Sequence, residues 1–197
     1  MGNFAPIVVF GFNRLQALKS TISSLLQNEE AKHSDLFVFV DGARKEKNGE
    51  ADIVRAVQDY VRTIRGFKSL QYSFSEKNQG LATSIITGVG KVIDKYGKVI
   101  VLEDDLVVMP NFLNYMNQGL DFYEKNQAVM SVCGHSCKVK TPNDYPYDAY
   151  FLTRSSSWGW GTWKDRWELV DWELKDWDAV MSHRKAFVKS QGSDVYK

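Results

Sequence analysis

A strand followed by a helix, repeated until a run of three carboxylates, is the pattern that most narrows what this chain can fold into. Ile7–Phe10 is a short β-branched and aromatic run, and Leu15, Leu18, Ile22, Leu25 and Leu26 then recur with a helical period. Asn13 with Gln16 three positions on has the form of a capping box, which would start that helix beside the strand end. Leu36–Val40 is a second strand, followed by a polar loop and the helical face Ile53, Val54, Val57, Tyr60, Val61 and Ile64. Ser69–Phe74 precedes a third helix marked by Leu81, Ile85, Ile86, Val89 and Ile93, and Lys98–Leu102 is a fourth, almost wholly apolar strand. Alternation of this kind predicts βαβ units in one α/β layer, with a mainly parallel sheet flanked by helices and an apolar strand at its buried centre.

Ligands of such sheets sit beyond the carboxyl ends of the strands. The segments at those ends here are Gly11–Arg14, Asp41-Gly42, Lys77–Gly80 and Glu103–Asp105. All are polar or carry glycine, so a single ligand is expected to touch them together. After Asp105 the alternation stops. Pro110 and Asn111 open a helix through Phe112, Leu113, Met116, Leu120 and Tyr123, and Ala128–Cys133 reads as a strand. A polar loop, Lys138–Asp148, then leads to Ala149–Thr153, and all six tryptophans fall between Trp158 and Trp177.

Three adjacent carboxylates at a strand end repel one another unless a cation neutralises them. Oxygen-only ligands suit Mn²⁺ or Mg²⁺, and Mg²⁺ commonly combines one or two carboxylates with substrate phosphates. A solvated acidic turn is the plainer alternative. Asp41-Gly42 is similar to the acidic residue that binds a ribose or base edge in nucleotide sites, with a glycine that lets backbone approach a ligand; an ordinary turn reads the same way. Arg14 is placed to reach a base or phosphate, or else is a surface arginine. Asn78-Gln79-Gly80 is a ligand contact or a helix-entry turn. In Ser155–Gly161, glycines between tryptophans favour a shaped loop whose indole faces would pack on a sugar ring. Trp158 and Trp160 are the candidates for that contact, whereas Trp163 and Trp167, at helical spacing from Trp160, read as helix core.

Composition excludes several classes. Lys plus Arg number 25 against 24 Asp plus Glu, so charge points to no nucleic-acid partner. The apolar fraction of 44% over 197 residues suits one domain with a substantial core. No apolar run approaches the ~20 residues of a membrane helix, which leaves peripheral membrane association open. Met1–Asn3 leads directly into the first strand without the features of a signal peptide. Cys133 and Cys137, with His135 between them, lack a second ligand pair at zinc spacing, so the two cysteines read as ordinary thiols of a reducing, cytoplasmic compartment.

Taken together, PIVVFGFNR, FVFVDG, KNQGLATSI, VLEDDLVVMPNF and SSWGWGTW resemble the GT-A class of glycosyltransferases, and within it the inverting N-acetylglucosaminyltransferase I type and its bacterial relatives. The resemblance spans about the first 170 residues. It implies a single GT-A domain, with residues 1–105 binding a nucleotide sugar, UDP-linked by preference, and 106–197 forming the acceptor side. By resemblance, Asp105 would coordinate the metal, Asp104 and Glu103 would hold ribose and metal waters, and Asp41 and Arg14 would contact the base region. Gly11, Asn13, Asn78, Gly80, Trp158 and Trp160 complete the implied donor site. The catalytic base of related enzymes follows the Trp-Gly loop. Asp165, Asp171, Asp176, Asp178 and Asp194 lie in that range, with spacing favouring Asp176, Asp178 or Asp194 and deciding nothing among them. The implied acceptor is a glycan, lipid-linked or protein hydroxyl. Relatives usually run further, so the ending at Lys197 suggests a truncated acceptor side. Two other readings stay open: a sugar-nucleotide-binding domain without turnover, and a sugar-phosphate nucleotidyltransferase. The second would show a glycine-rich basic stretch where GFNRLQALK stands.

Overall fold

In a computed structural model of the chain, residues 4–136 and 139–192 are described. Four parallel strands, β1 (Ile7–Gly11), β2 (Asp35–Val40), β3 (Ser69–Phe74) and β4 (Lys98–Glu103), match the expected runs to within a residue at either end. Two antiparallel strands extend the sheet: β5 (Val132–Cys133) and β6 (Trp160–Trp163). The sheet order is β3-β2-β1-β4-β6-β5. The chain therefore builds outward from β1 in one direction and then returns to the other side of β1 with β4. The junction of β1 and β4 is the topological switch point, where open α/β sheets form a crevice at their carboxyl edge.

The helices follow from this reversal. Helices α1 (Leu15–Leu26), α2 (Glu50–Thr63) and α4 (Phe112–Tyr123) bury Leu18, Ile22, Val54, Val57, Leu113 and Met116 with Ile7, Val9, Ile100 and Leu102 on one face. Helix α3 (Leu81–Tyr96), which makes the crossover, covers the opposite face with Val89, Val92 and Ile93 against Val8, Phe10, Val99 and Val101. Strand residues alternate between the two clusters, as the pleat demands. β1 and the middle of β4 are buried throughout, whereas β3 is an edge strand with exposed Gln71, Tyr72 and Ser73.

Downstream of β4, the link to α4 is laid along α1 by three polar side chains. Thr21 Oγ1 donates to the Asp104 carbonyl at 2.8 Å, Ser24 Oγ accepts from Val108 N at 3.1 Å, and Asn28 Oδ1 accepts from Leu113 N at 2.9 Å. Thr21, Ser24 and Asn28 are all buried, and such bonds are what make burying them tolerable.

Several sequence expectations are corrected here. Helix α1 is entered at Arg14, and no side chain caps it, so the Asn13–Gln16 box does not form; the Asn13 amide is bonded elsewhere. The strand expected over Ala128–Cys133 shrinks to two residues, because the preceding segment is a turn closed by Asn126. The tryptophan spacing that resembled a helical stripe is split. Trp160–Trp163 is β6, and only the short α5 (Lys164–Trp167) is helical. Trp160 therefore packs from a strand, its ring stacked 5.8 Å from Trp167 on the α3 face of the sheet. Trp163 is buried by β-pleat geometry, on the α4 face, with Nε1 donating to the Leu120 carbonyl at 3.0 Å. Two further short helices follow, α6 (Trp177–Ser182) and α7 (Arg184–Gln191), both with exposed or half-buried surfaces. Among the described residues, no helix is long and apolar enough to cross a membrane.

The glycines of the Trp-Gly loop serve packing. Gly159 has φ +71°, and a Cβ there would lie 3.0 Å from the Phe112 ring. A Cβ on Gly161 would meet the Val99 carbonyl oxygen at 2.8 Å. The two outer tryptophans of this region thus contrast sharply: Trp163 is 2% exposed and Trp158 57%. Trp163→Ala should cost about 3–5 kcal/mol, as for other buried aromatics. Trp158→Ala should stay within roughly 0.5 kcal/mol of the parent. Urea midpoints of the two variants measure the difference, and similar losses in both would contradict it.

Candidate donor site at the strand switch point

Each expected site segment lies at the carboxyl edge of a strand, and the closest contacts cross the switch point. Glu103 is the last residue of β4, and Asp104 and Asp105 form the turn after it. Asp104 is 2% exposed. Its Oδ2 accepts from Phe12 N–H at 3.3 Å, and its Oδ1 is ion-paired with Arg14 Nη2. Arg14 Nη1 reaches Asp105 Oδ2 at 2.6 Å. One guanidinium on the β1 loop thus holds two carboxylates on the β4 turn, in the fork geometry that arginine favours. Arg14 and Asp105 remain about half exposed, so this end of the turn faces solvent.

The carboxylates of the turn are held with incomplete compensation. Burial, then the charge of Asp105, raises the Glu103 carboxyl above the usual carboxylate range, with Arg14 opposing. Burial likewise raises Asp104, against the pull of Arg14 and the Phe12 N–H. The folded state thus holds protons at Glu103 and Asp104 more tightly than the unfolded chain does. Each ionised group therefore costs stability at neutral pH, and that cost fades as pH falls through the raised folded value.

Asp41 has a role that the sequence did not reveal. Its buried carboxylate accepts hydrogen bonds from three backbone amides: Gly42 N at 2.9 Å to Oδ1, Gln79 N at 2.9 and 3.1 Å to both oxygens, and Gly80 N at 2.9 Å to Oδ2. Asn78 Nδ2 closes the same loop on the Gly42 carbonyl at 2.9 Å. A Cβ on Gly42 would fall 2.5 Å from the Lys77 carbonyl carbon. The close approach expected at Gly42 is therefore made by the protein's own 77–80 segment, which Asp41 clamps at the entry to α3. Gly80 is the N-terminal residue bounding that helix, at φ +81°. Gly11 is buried at the end of β1, its carbonyl accepting from Asp41 N at 3.0 Å.

Asn13, Arg44 and Glu50 form a second polar group beside the first. Glu50, buried in the first turn of α2, accepts from Arg44 N at 2.8 Å, from Arg44 Nε at 3.1 and 3.2 Å, from Arg44 Nη2, and from Asn13 Nδ2 at 3.1 Å. The bonds from Arg44 depress the Glu50 carboxyl to about 2. This stabilisation is present above the unfolded value near ~4.3 and is lost as pH falls through about 2. The Arg44 guanidinium also lies 5.4 Å from the centre of the Phe12 ring. Sequence reading passed over Arg44 and Glu50 as loop polarity; a lone glutamate opening a helix was the only signal.

On the far side, β6 runs antiparallel to β4, so the chain preceding Trp160 heads toward the carboxyl end of β4. Trp158 lies there in an exposed loop, its ring 4.5 Å from that of His135, another residue that sequence reading left unassigned. The candidate bases divide. Asp165 is ion-paired with buried Arg166 at 2.8 Å, and Asp171 closes a turn onto Glu173 N and Lys175 N. Asp176 precedes α6 and Asp178 lies in its first turn, both exposed, and neither is bonded to the acidic turn among the described residues. Asp194 and Cys137 fall outside the described residues.

A mostly parallel sheet reversed at β1 and β4, flanked by helices on both faces, is an α/β domain of the GT-A kind. Residues 7–175 match the model of glycosyl transferase family 2, and the chain belongs to that family. No curated protein matches it. Among solved structures it is similar to a protein described as a nucleotide-diphospho-sugar transferase from Desulfovibrio desulfuricans G20, at 13% identity and a TM-score of 0.44 over 92% of this chain and 77% of that one. It is also similar to residues 1–349 of S. aureus TarS, at 14% identity and a TM-score of 0.39 over 61% of this chain and 32% of that one. The glycosyltransferase GlyE of Streptococcus pneumoniae TIGR4 aligns at 13% identity and a TM-score of 0.40, over 96% of this chain and 40% of that one. The chain thus spans about a third of the TarS structure and two fifths of GlyE. The family match carries the assignment, and it reaches family 2 rather than the narrower N-acetylglucosaminyltransferase I type.

Two stability experiments test this geometry. Asp41→Ala strips the carboxylate from three backbone amides, and with charged hydrogen bonds worth about 1.5–3 kcal/mol each, it should cost at least about 3 kcal/mol in urea unfolding. Glu103→Gln should raise the melting temperature of the protein at pH 7.5 in EDTA, by about 2–4 °C for each kcal/mol recovered. That gain should shrink toward pH 4, and a gain that grows on acidification would show the sign to be wrong.

Proposed function

We propose that this chain is a metal-assisted glycosyltransferase that takes a sugar from a nucleotide donor, UDP-linked by preference, and passes it to an acceptor hydroxyl with inversion. The observation that supports this reading best is the convergence of Asp104 and Asp105 on one cationic group at the switch point, within the span matched by the family. The donor set fits Mn²⁺ or Mg²⁺. It is all oxygen, it is anionic beyond what Arg14 alone balances, and its open side leaves room for phosphate oxygens. Among the described residues, no three carboxylate, histidine or cysteine groups are arranged to hold a metal alone. A cation here would therefore share its shell with donor phosphates and water, as Mg²⁺ commonly does. Asp105, the exposed member, would be its direct ligand, with Asp104 and Glu103 holding ribose and bound water. When bound, it would neutralise charge on the departing diphosphate.

The chain's own groups do the rest. Arg14 turns from the carboxylates toward base or phosphate as the donor enters. Asp41, through the 77–80 loop that it clamps, shapes the base side of the crevice with Asn78 and Gly80. Gly11 and Asn13 line the β1 side. Trp158 offers an exposed indole to the sugar, while Trp160 supports that loop from the sheet. A carboxylate of Asp176, Asp178 or Asp194 takes the proton of the acceptor hydroxyl. The freed oxygen attacks the anomeric carbon, and the glycosidic electron pair leaves with the nucleoside diphosphate on the opposite face. The acceptor is a glycan, a lipid-linked sugar or a protein, at a membrane surface or in solution.

A thermal-shift series with nucleoside diphosphates tests the reading. UDP with Mn²⁺ should stabilise the protein more than UDP with EDTA, and a ligand at ~100 Kd adds about 2.7 kcal/mol. Asp105→Ala should remove the Mn²⁺-dependent part and leave the unliganded melting temperature within a few degrees of the parent. Equal shifts with and without Mn²⁺ would overturn the metal-assisted reading.

A further inference from the structure

The β1 loop carries the main contacts across the switch point, yet nothing within that loop fixes its shape. Residues 12–14 lie between the end of β1 and the start of α1, and that helix is entered without a side-chain cap. The loop is instead held from outside. Asn13 is tied by its amide to Glu50 at 3.1 Å, and Phe12 lies under the Arg44 guanidinium that Glu50 fixes through Nε and Nη2. Phe12 N–H and Arg14 in turn hold Asp104. Glu50 is 5% exposed and faces Asn13 and Arg44, groups from two different strand-end loops. Its carboxylate therefore ties the loop after β1 to the loop after β2.

We propose, on the donor-site reading above, that Glu50 is a positioning residue for nucleotide binding, acting through Asn13 and through Arg44 stacked on Phe12. It touches neither donor nor cation. It holds the β1 loop at the height where the Phe12 amide and Arg14 meet the acidic turn, and it keeps the Arg44 guanidinium flat against Phe12 as the outer wall of the base side. Removing the Glu50 charge frees Arg44 to swing into solvent and releases the Asn13 amide, so the loop samples conformations that do not fit the donor. The binding-competent fraction falls, and apparent affinity falls with it.

Titration calorimetry of UDP in saturating Mn²⁺, with Glu50→Gln, Arg44→Gln and the double variant, tests the proposal. Each single variant should weaken UDP about tenfold, and the double should be no weaker than the worse single, because Arg44 acts only through its contact with Glu50 and Phe12, which Glu50→Gln already releases. Urea midpoints taken in parallel separate positioning from general stability. Glu50→Gln, close in shape to the parent, should bind poorly at a temperature where it remains fully folded. A Kd for folded Glu50→Gln within twofold of the parent overturns the proposal, as do additive losses in the double variant. Should Glu50→Gln not fold, the half-exposed Arg44→Gln decides alone, and parental affinity there overturns it. Failure of the parent to bind any nucleoside diphosphate, by contrast, removes the donor-site reading itself.

Discussion

One buried carboxylate organises this structure. Asp104 sits at the end of the apolar strand β4 with almost no contact with water, where an isolated charge would be too costly to keep. It is tolerated because the neighbouring strand end supplies a backbone amide and a guanidinium, from Phe12 and Arg14, and because Thr21 holds the backbone of the same residue. Those three residues come from β1's loop and from α1, so one ionised group obliges β1, β4 and α1 to meet at the switch point. The remaining parts follow: α1 and α2 on one face, α3 on the other, and the acidic turn at the carboxyl edge where β1 and β4 meet. The neighbouring Glu103, partly buried beside two other carboxylates, keeps part of that cost.

Much of this was legible in the order of residues. The apolar runs at Ile7, Leu36 and Lys98 sit between turn residues and helical faces, and burial on both faces leaves a parallel strand little choice but to be apolar throughout. The location of the acidic turn followed from β4 alone. Partnerships were not legible. Arg14 and Asp104 lie ninety positions apart, and Asp41 meets Gln79 and Gly80 through a loop whose approach depends on how α3 crosses the sheet. A side chain's chemistry shows what it can bond; which atoms arrive is decided by topology.

The tryptophan region shows where periodicity misleads. Positions 160, 163 and 167 satisfy a helical spacing, yet Trp160 and Trp163 lie on opposite faces of β6, and only Trp167 is in a helix. Short glycine-bearing segments carry too few residues for a period to be measured, and here β4 imposed the extended form by offering its free edge. Likewise, the space at Gly42 expected to admit a ligand is filled by Lys77. Close approach was correctly inferred from glycine; the approaching body was the protein.

The seam of Thr21, Ser24 and Asn28 has a mechanical consequence. It fastens the acidic turn, Val108 and the start of α4 to α1, an element of the opening half of the chain, and draws nothing from the segments beyond Cys133. The acidic turn is thereby fastened to α1 by bonds that come from neither α6 nor α7, while β6 backs β4 on its other edge. In engineering terms, an exchange that begins after α5 would spare β6 and leave the height and angle of the acidic turn to the sheet and α1.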